Sequence, residues 1–391
     1  MSINLINEKK NVLLIGNGNS VYVKNYIEHV LLAYDYKVSI FTDRVHDREF
    51  IDYYKNKGVD IITRTRSIPI IKHIPKIRVL EDVIMIKKLI KIIGRFHIVH
   101  VHYVNRLNTI LIPVLRKHSD HIVVTYWGSD FLRKSTQKIR SLKRYLALAD
   151  TITFNNNDLI GKFNHIFKDA FIKKTTKAKF GSDIFNTIAV NQETEDINKC
   201  KDSINIPKDK YIIVIGHNRN KNHHQLEILK QIASTDKKYL KKICIIFPMT
   251  YGNKDADYED QLQATGKDLV CDVIFFYDFM SSEDTARLRR VADIFIHAQS
   301  TDAFSATVQE FLYSGAIVFN GSWLKYDELK NNDVEYFEFE YMENIPKLLM
   351  STIKNIDTIK KRMKLNQERI YKISSWEVNA DKWIDLYGKK K

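Results

Sequence analysis

The chain predicts an α/β protein of two domains, each a parallel sheet covered by helices. Two separate runs of strand and helix signals alternate along it, a polar stretch divides them, and a length of 391 residues suits two cores. Hydrophobic residues make up 44% of the chain, against only 13 Gly and 6 Pro. That supplies both cores and leaves little for long disordered linkers.

The first alternation begins with NVLLIGNG (11–18), a strand ending in a Gly turn, followed by helical periodicity over 21–36 and a strand over 37–43. After a basic segment come a strand over 97–102, a helix near 107–117 and a strand leading through 121–130. A helix over 141–150 and a strand over 151–156 complete the run. Ligands of such sheets bind at the carboxyl ends of the strands, where loops 16–20, 103–106, 127–133 and 155–158 gather. Residues 182–210 are polar and charged, and 191–210 read as a linker.

The second alternation places strands at 211–216, 242–249, 273–280 and 293–299, with helices over 225–232, 257–266 and 282–292. Glu283 and Asp284 in the first turn of the last of these mark a helix N-terminus. Further helices run from about Ile345 to the end. The expected division is a first domain over 1–190, a linker over 191–210, a second domain over 211–370 and a terminal helical segment over 371–391.

A net charge of +15 favours an anionic partner. The chain shows no basic–aromatic recognition module, which argues against nucleic acid. Basic residues concentrate between Lys72 and Arg95, where Lys72, Lys76, Arg78, Lys87, Lys88 and Lys91 stand among Ile, Leu and Val. Residues 82–94 fit an amphipathic helix with Val83, Ile84, Ile86, Leu89, Ile90 and Ile93 on one side and Lys87, Lys88 and Lys91 on the other. Such a helix either turns its apolar face to the core or lies on an anionic bilayer, and the basic density favours membrane contact. The apolar run Val12–Ile15 is too short for a signal peptide, and no apolar stretch reaches the ~18–20 residues of a membrane span. Cys200, Cys244 and Cys271 have neither metal-ligand spacing nor the number for a disulfide framework, so the expected setting is the reducing cytoplasm.

Residues 301–319, TDAFSATVQEFLYSGAIVF, set Asp302 and Glu310 eight positions apart. Asp302 to Thr307 reads as a loop entering a helix that starts near Ser305, with Glu310 about one and a half turns in. The unpaired N–H groups around Ser305, Ala306 and Thr307 suit a diphosphate. A carboxylate further along suits a ribose diol, and one on the preceding loop suits sugar hydroxyls. The plain alternative is an amphipathic helix with two solvated acids.

This pattern resembles the Glu-x7-Glu motif of GT-B glycosyltransferases, especially family 4, with Asp302 in place of the first Glu. Other blocks are similar to that family in the same order: FHIVHVHYVNRLN (96–108), VVTYWGSDFLR (123–133), ADTITFNNNDLIGKF (149–163) and KAKFGSDIF (177–185). The segments IGHNRNKNHHQLEIL (215–229) and FPMTYGNKDADYEDQL (247–262) are closer to bacterial fucosaminyl-type transferases acting on lipid-linked saccharides.

The resemblance implies the GT-B arrangement, two Rossmann-like domains facing across a cleft with a C-terminal helix returning to the first. It implies a glycosyltransferase that moves a sugar from a nucleotide sugar to a saccharide or polyprenyl-linked acceptor in bacterial surface polysaccharide assembly, retaining and metal-independent, at the inner face of the membrane. The alternatives are a nucleotide-sugar epimerase on the same fold and a non-catalytic sugar or nucleotide binder. Glu310 is expected on the ribose and Asp302 on the donor sugar. Arg219 and Lys221, with Gly216, stand where the family holds the diphosphate. Gly16 closes the first strand near donor and acceptor. Asp130 either positions an acceptor hydroxyl or acts as base, and His102 offers a polar contact at its strand end. No cofactor is expected. Asp255 and Asp257 form an Asp-x-Asp pair without partner ligands, so no metal is expected either.

Overall fold

The computed structural model describes residues 9–43, 45–64 and 75–387. These form two compact units, one comprising the chain to Gly181 together with the segment from Trp376, the other spanning Ser182–Ser375.

The first unit is built on seven parallel strands: β1 (Asn11–Ile15), β2 (Lys37–Thr42), β3 (Asp60–Thr63), β4 (Phe96–His102), β5 (Ser119–Thr125), β6 (Thr151–Phe154) and β7 (Thr175–Lys177). Their order is β3-β2-β1-β4-β5-β6-β7, so the winding reverses between β1 and β4. Val12, Leu13, Leu14 and Ile15 are all fully buried, as a central strand covered on both faces requires.

Helical structure in this unit departs from the periodicity in two instructive places. Residues 21–36 form a helix over Val21–Tyr26 that widens into a π-helical stretch over Ile27–Leu32, with Ala33 N bonded to Glu28 O at 3.2 Å. Tyr26, Ile27, Val30 and Leu31 are thereby all fully buried. The helix expected near 107–117 divides into Arg106–Thr109 and Ile112–Arg116, with Pro113 in the first turn of the second. Proline lacks the N–H needed to continue the earlier turn but suits a helix start.

The helix Pro75–Ile93 buries Asp82, Ile86 and Ile90, with Asp82 at 3.7 Å from Arg64. Lys87, Lys88 and Lys91 are exposed, and so are Leu80, Ile84 and Ile92. Ile84 therefore lies on the outer side with the lysines, not among the core positions. Lys72 and the side chains of Lys76 and Arg78 lie outside the described residues.

The helix Trp376–Asp385 packs on the first unit. Trp383 is fully buried and donates its Nε1–H to Lys179 O at 2.8 Å, and Trp376 stacks on His29 with ring centroids 5.0 Å apart. Gly181 makes this return possible. A Cβ there would sit 2.5 Å from Trp376 N and 2.6 Å from its Cα.

The second unit holds six parallel strands: β8 (Tyr211–Ile215), β9 (Ile243–Pro248), β10 (Asp272–Phe276), β11 (Ile294–His297), β12 (Ile317–Gly321) and β13 (Phe337–Phe339). Their order, β10-β9-β8-β11-β12-β13, repeats the reversal, here between β8 and β11. The crevice beyond the carboxyl ends of these two strands is where such sheets take ligands.

Residues 191–210 are not a linker. Ile184–Thr194 and Ile197–Ser203 are helices whose Phe185, Ile188 and Cys200 belong to the core of the second unit, as do Ile204 and Ile206. The polar composition has a local cause. Arg287 grips Glu195 through two bonds of 2.9 and 2.6 Å, and Arg290 donates to Asn191 Oδ1 at 2.6 Å and to Glu195 O at 2.9 Å. The unit boundaries fall at Gly181/Ser182 and Ser375/Trp376, so the helix Asn366–Ser374 also stays with the second unit.

Candidate active site

In the second unit, the helix Ala306–Tyr313 starts where the motif indicates. Ser305 is its N-cap and accepts from Val308 N at 3.3 Å. The Ser305 hydroxyl is thus committed to the helix, while the N–H groups of Ala306 and Thr307 make no hydrogen bond among the described residues. Glu310 accepts from Arg289 Nε at 3.0 Å through Oε2, with the two side chains 14% and 9% exposed. No other hydrogen bond to the Glu310 carboxylate is formed among the described residues, which leaves Oε1 for a ligand hydroxyl. The Arg289 guanidinium also lies over the Phe311 ring, 4.4 Å from its centroid.

Asp302 is held from three directions. Its Oδ2 accepts from the Tyr326 hydroxyl at 2.7 Å and stands 3.7 Å from His297 Nε2, while Oδ1 accepts from Ala303 N at 2.8 Å. Burial pushes its pKa up, but hydrogen bonds from His297, Tyr326 and Ala303 outweigh it and hold the carboxyl below its ordinary range. Asp302 is therefore an ionised acceptor at neutral pH.

Gly216 ends β8 in the left-handed region, at φ +66°, and a Cβ there would lie 3.2 Å from His223 Cβ. Beyond it His217, His223 and His297 cluster, with ring centroids of His217 and His223 4.3 Å apart and those of His217 and His297 6.2 Å apart. Burial, the neighbouring His223 and His297, and Arg289 push the His217 pKa well down, so its imidazole is neutral.

Two expected phosphate ligands are otherwise engaged. Arg219 donates through Nε and Nη2 to Met249 O at 2.9 and 2.6 Å, which fixes the loop after β9. Lys221 pairs with Asp255 at 3.2 Å in an exposed position. Asp255 caps the helix Ala256–Lys267 by accepting from Tyr258 N, so the Asp-x-Asp pair is a helix start. Charge near Glu310 comes instead from Arg289, on the helix Ser282–Val291.

The first unit also corrects two expectations. Asp130 is 2% exposed, and its carboxylate accepts from Val104 N at 2.6 Å, Trp127 N at 2.9 Å and Gly128 N at 3.0 Å. It ties the loop after β4 to the loop after β5, and these bonds occupy both oxygens. Burial raises its pKa to about 6 despite the amide bonds that lower it. His102 is fully buried among Tyr26, His100, Trp127 and Phe180, and burial drives its pKa down to about 3. It is a neutral member of an aromatic nest. Gly16 packs close to this nest, since a Cβ there would lie 3.4 Å from His102 Cβ. Gly18 closes its turn by donating to Thr42 Oγ1 at 2.7 Å.

Comparisons with known proteins agree with this architecture. Residues 11–156 match the family model described as glycosyl transferase 4-like. A glycosyltransferase from Rickettsia africae superposes with a TM-score of 0.74 at 14% identity, covering 98% of each chain. HepE of Anabaena, solved with UDP, gives 0.72 at 14% identity over 97% of this chain and 100% of its own. Sucrose-phosphate synthase from Thermosynechococcus elongatus gives 0.72 at 14% identity over 97% and 99%. At such identities the likeness is one of fold. A comparison with curated protein sequences finds no significant match. The fold is GT-B, two Rossmann-like α/β units. The fold is that of GT-B glycosyltransferases, and within the first unit residues 11–156 carry the glycosyl transferase 4-like match.

Proposed function

We propose that this chain is a glycosyltransferase that takes its sugar from a nucleoside diphosphate sugar and delivers it, with retention, to a saccharide or polyprenyl-linked acceptor in bacterial surface polysaccharide assembly. The observation that carries the reading is the group at the carboxyl ends of the second sheet: Glu310 oriented by Arg289, ionised Asp302, and the amides of Ala306 and Thr307. Leaving of the nucleoside diphosphate builds negative charge on phosphate oxygens, which fixed amides and a guanidinium stabilise. Glu310 Oε1 is placed to accept from a ribose hydroxyl, and Asp302 from a sugar hydroxyl. HepE, which shares the fold, has been solved with UDP-glucose, and this supports a nucleotide sugar as donor.

The reading of retention is supported by the state of the two first-unit candidates for a base. Asp130 is occupied by backbone amides, and His102 is buried. A retaining path in which the leaving phosphate takes the acceptor proton needs neither. No helix among the described residues is long and apolar enough to cross a membrane. Membrane contact is instead assigned to the exposed face bearing Leu80, Ile84, Lys87, Lys88, Lys91 and Ile92, which suits an anionic cytoplasmic leaflet.

The test is to incubate the full chain with UDP-, GDP-, dTDP- and CMP-sugars and a polyprenyl-linked saccharide and to follow free nucleotide and extended acceptor. Acceptor-dependent release from one donor class supports the reading. No release from any of them overturns it.

A further inference from the structure

The donor unit brings together three histidines that are widely separated in the chain. His217 follows β8, His223 ends the short turn Lys221–His223, and His297 ends β11, the strand next to β8 across the reversal of sheet order. One ligand nitrogen from each lies within 4.8 Å of the other two. We propose that His217, His223 and His297 bind one divalent transition-metal ion, with Asp302 and Tyr326 orienting His297.

The strongest support is the division of labour on His297. Its Nε2 faces the Tyr326 hydroxyl at 3.1 Å and Asp302 Oδ2 at 3.7 Å, while its Nδ1 is buried without a hydrogen bond among the described residues. A metal-ligating imidazole characteristically turns one nitrogen to the ion and gives the other to a carboxylate or hydroxyl that fixes its tautomer. His217 Nδ1 is likewise buried without a partner. Buried polar nitrogens left this way are costly, and a shared ion satisfies both at once.

The backbone fits the same reading. Gly216 lacks the Cβ that would press on His223 from 3.2 Å, so the loop can fold His217 against His223. Gln225 Nε2 donates to Asn218 O at 2.9 Å and pins that loop to the following helix. Tetrahedral bonds of about 2.0–2.1 Å place ligand atoms about 3.4 Å apart. The present spread closes by rotation about χ2, a broad torsion for histidine. Three imidazole ligands select a borderline ion such as Zn²⁺, Co²⁺ or Ni²⁺ over Mg²⁺ or Ca²⁺, which prefer oxygen ligands. A three-imidazole set also leaves a fourth position open to water or a ligand atom. This departs from the metal-independent expectation that the family resemblance implies.

The experiment is a cobalt(II) titration of the full chain after chelation and dialysis, with no nucleotide present, followed by visible absorption. The expected result is one Co²⁺ per chain with the intense bands of four-coordinate cobalt, displaced by Zn²⁺. His217→Ala and His217→Gln, at a half-buried position, should abolish the bands while circular dichroism stays native. Asp302→Asn should weaken binding about 10–100-fold with the ligands intact. Absence of the bands in the wild-type chain overturns the proposal, as do undiminished bands in either folded His217 variant. Nucleoside diphosphate binding by the metal-free chain is measured separately, so failure of the donor reading and failure of the metal site remain distinguishable.

Discussion

Arg289 Nε donates to Glu310 Oε2 at 3.0 Å, joining the helix Ser282–Val291 to the helix Ala306–Tyr313 beneath the carboxyl ends of the second sheet. The pair holds the carboxylate while leaving its second oxygen free. Removing one partner from a largely buried ion pair leaves the other uncompensated. Arg289→Ala is expected to cost about 3 kcal/mol in urea denaturation and to weaken nucleotide binding. Unchanged stability would show that solvent already screens the pair.

Asp130 gives a pH signature. Its folded pKa is raised to about 6 from an ordinary 3.8. Between those values the folded state holds more proton than the unfolded one, so stability falls as pH rises from about 4 to about 6. The difference is on the order of 3 kcal/mol at about 1.4 kcal/mol per unit. Asp130→Asn should remove this slope and also destabilise the chain at low pH, because the amides of Val104, Trp127 and Gly128 lose part of their acceptor. Denaturation at a series of pH values in both proteins checks it.

His102 acts with the opposite sign. Its folded pKa is lowered to about 3 from 6.5, so the unfolded state binds more proton between those values. Stability is lost as pH falls below about 6.5. His102→Phe, which keeps a ring in the nest, should make the protein less sensitive to acid over that window. An acid profile identical to wild type would contradict the assigned burial.

Gly181 governs the return of the terminal helix. A Cβ at this position meets Trp376 backbone atoms at 2.5–2.6 Å, and backbone cannot give way as a flexible side chain does. Gly181→Ala should cost about 1–3 kcal/mol, within the range for overpacking. Limited proteolysis should then release the segment from Trp376 before the rest of the first unit.

The basic helix supplies a surface test. Replacing Lys87, Lys88 and Lys91 by Glu should reduce sedimentation with vesicles rich in anionic phospholipid, most visibly at low salt, at roughly 1 kcal/mol per lysine. Retained sedimentation would contradict membrane contact by this face.

Much of the fold was legible because buried parallel strands read as short apolar runs: NVLLI, YIIVI and ICIIF stand out from the polar segments around them. Less legible were β7, three half-buried residues, and the helices over 184–203, whose polar residues meet Arg287 and Arg290 from almost 100 positions away. The capped helix at Ser305 and the placing of Glu310 followed from local chemistry. Arg289 did not, because its value comes from a partner 21 residues on, which only the packing of two helices reveals. His217 and His223 lay in view within GHNRNKNHH, but their link to His297 needed the strand order. Arg219 and Asp130 looked like ligands from their types and positions, and only the structure shows carbonyl and amide groups occupying them.

The most direct measurement is calorimetric titration of the wild-type chain and of Glu310→Ala with UDP, GDP, dTDP and CDP. One nucleoside diphosphate should bind the wild-type chain and lose at least about tenfold, or ~1.4 kcal/mol, in the folded variant. Binding of equal strength to both proteins would contradict the assignment of Glu310 to the donor, and binding of none would contradict the donor site itself.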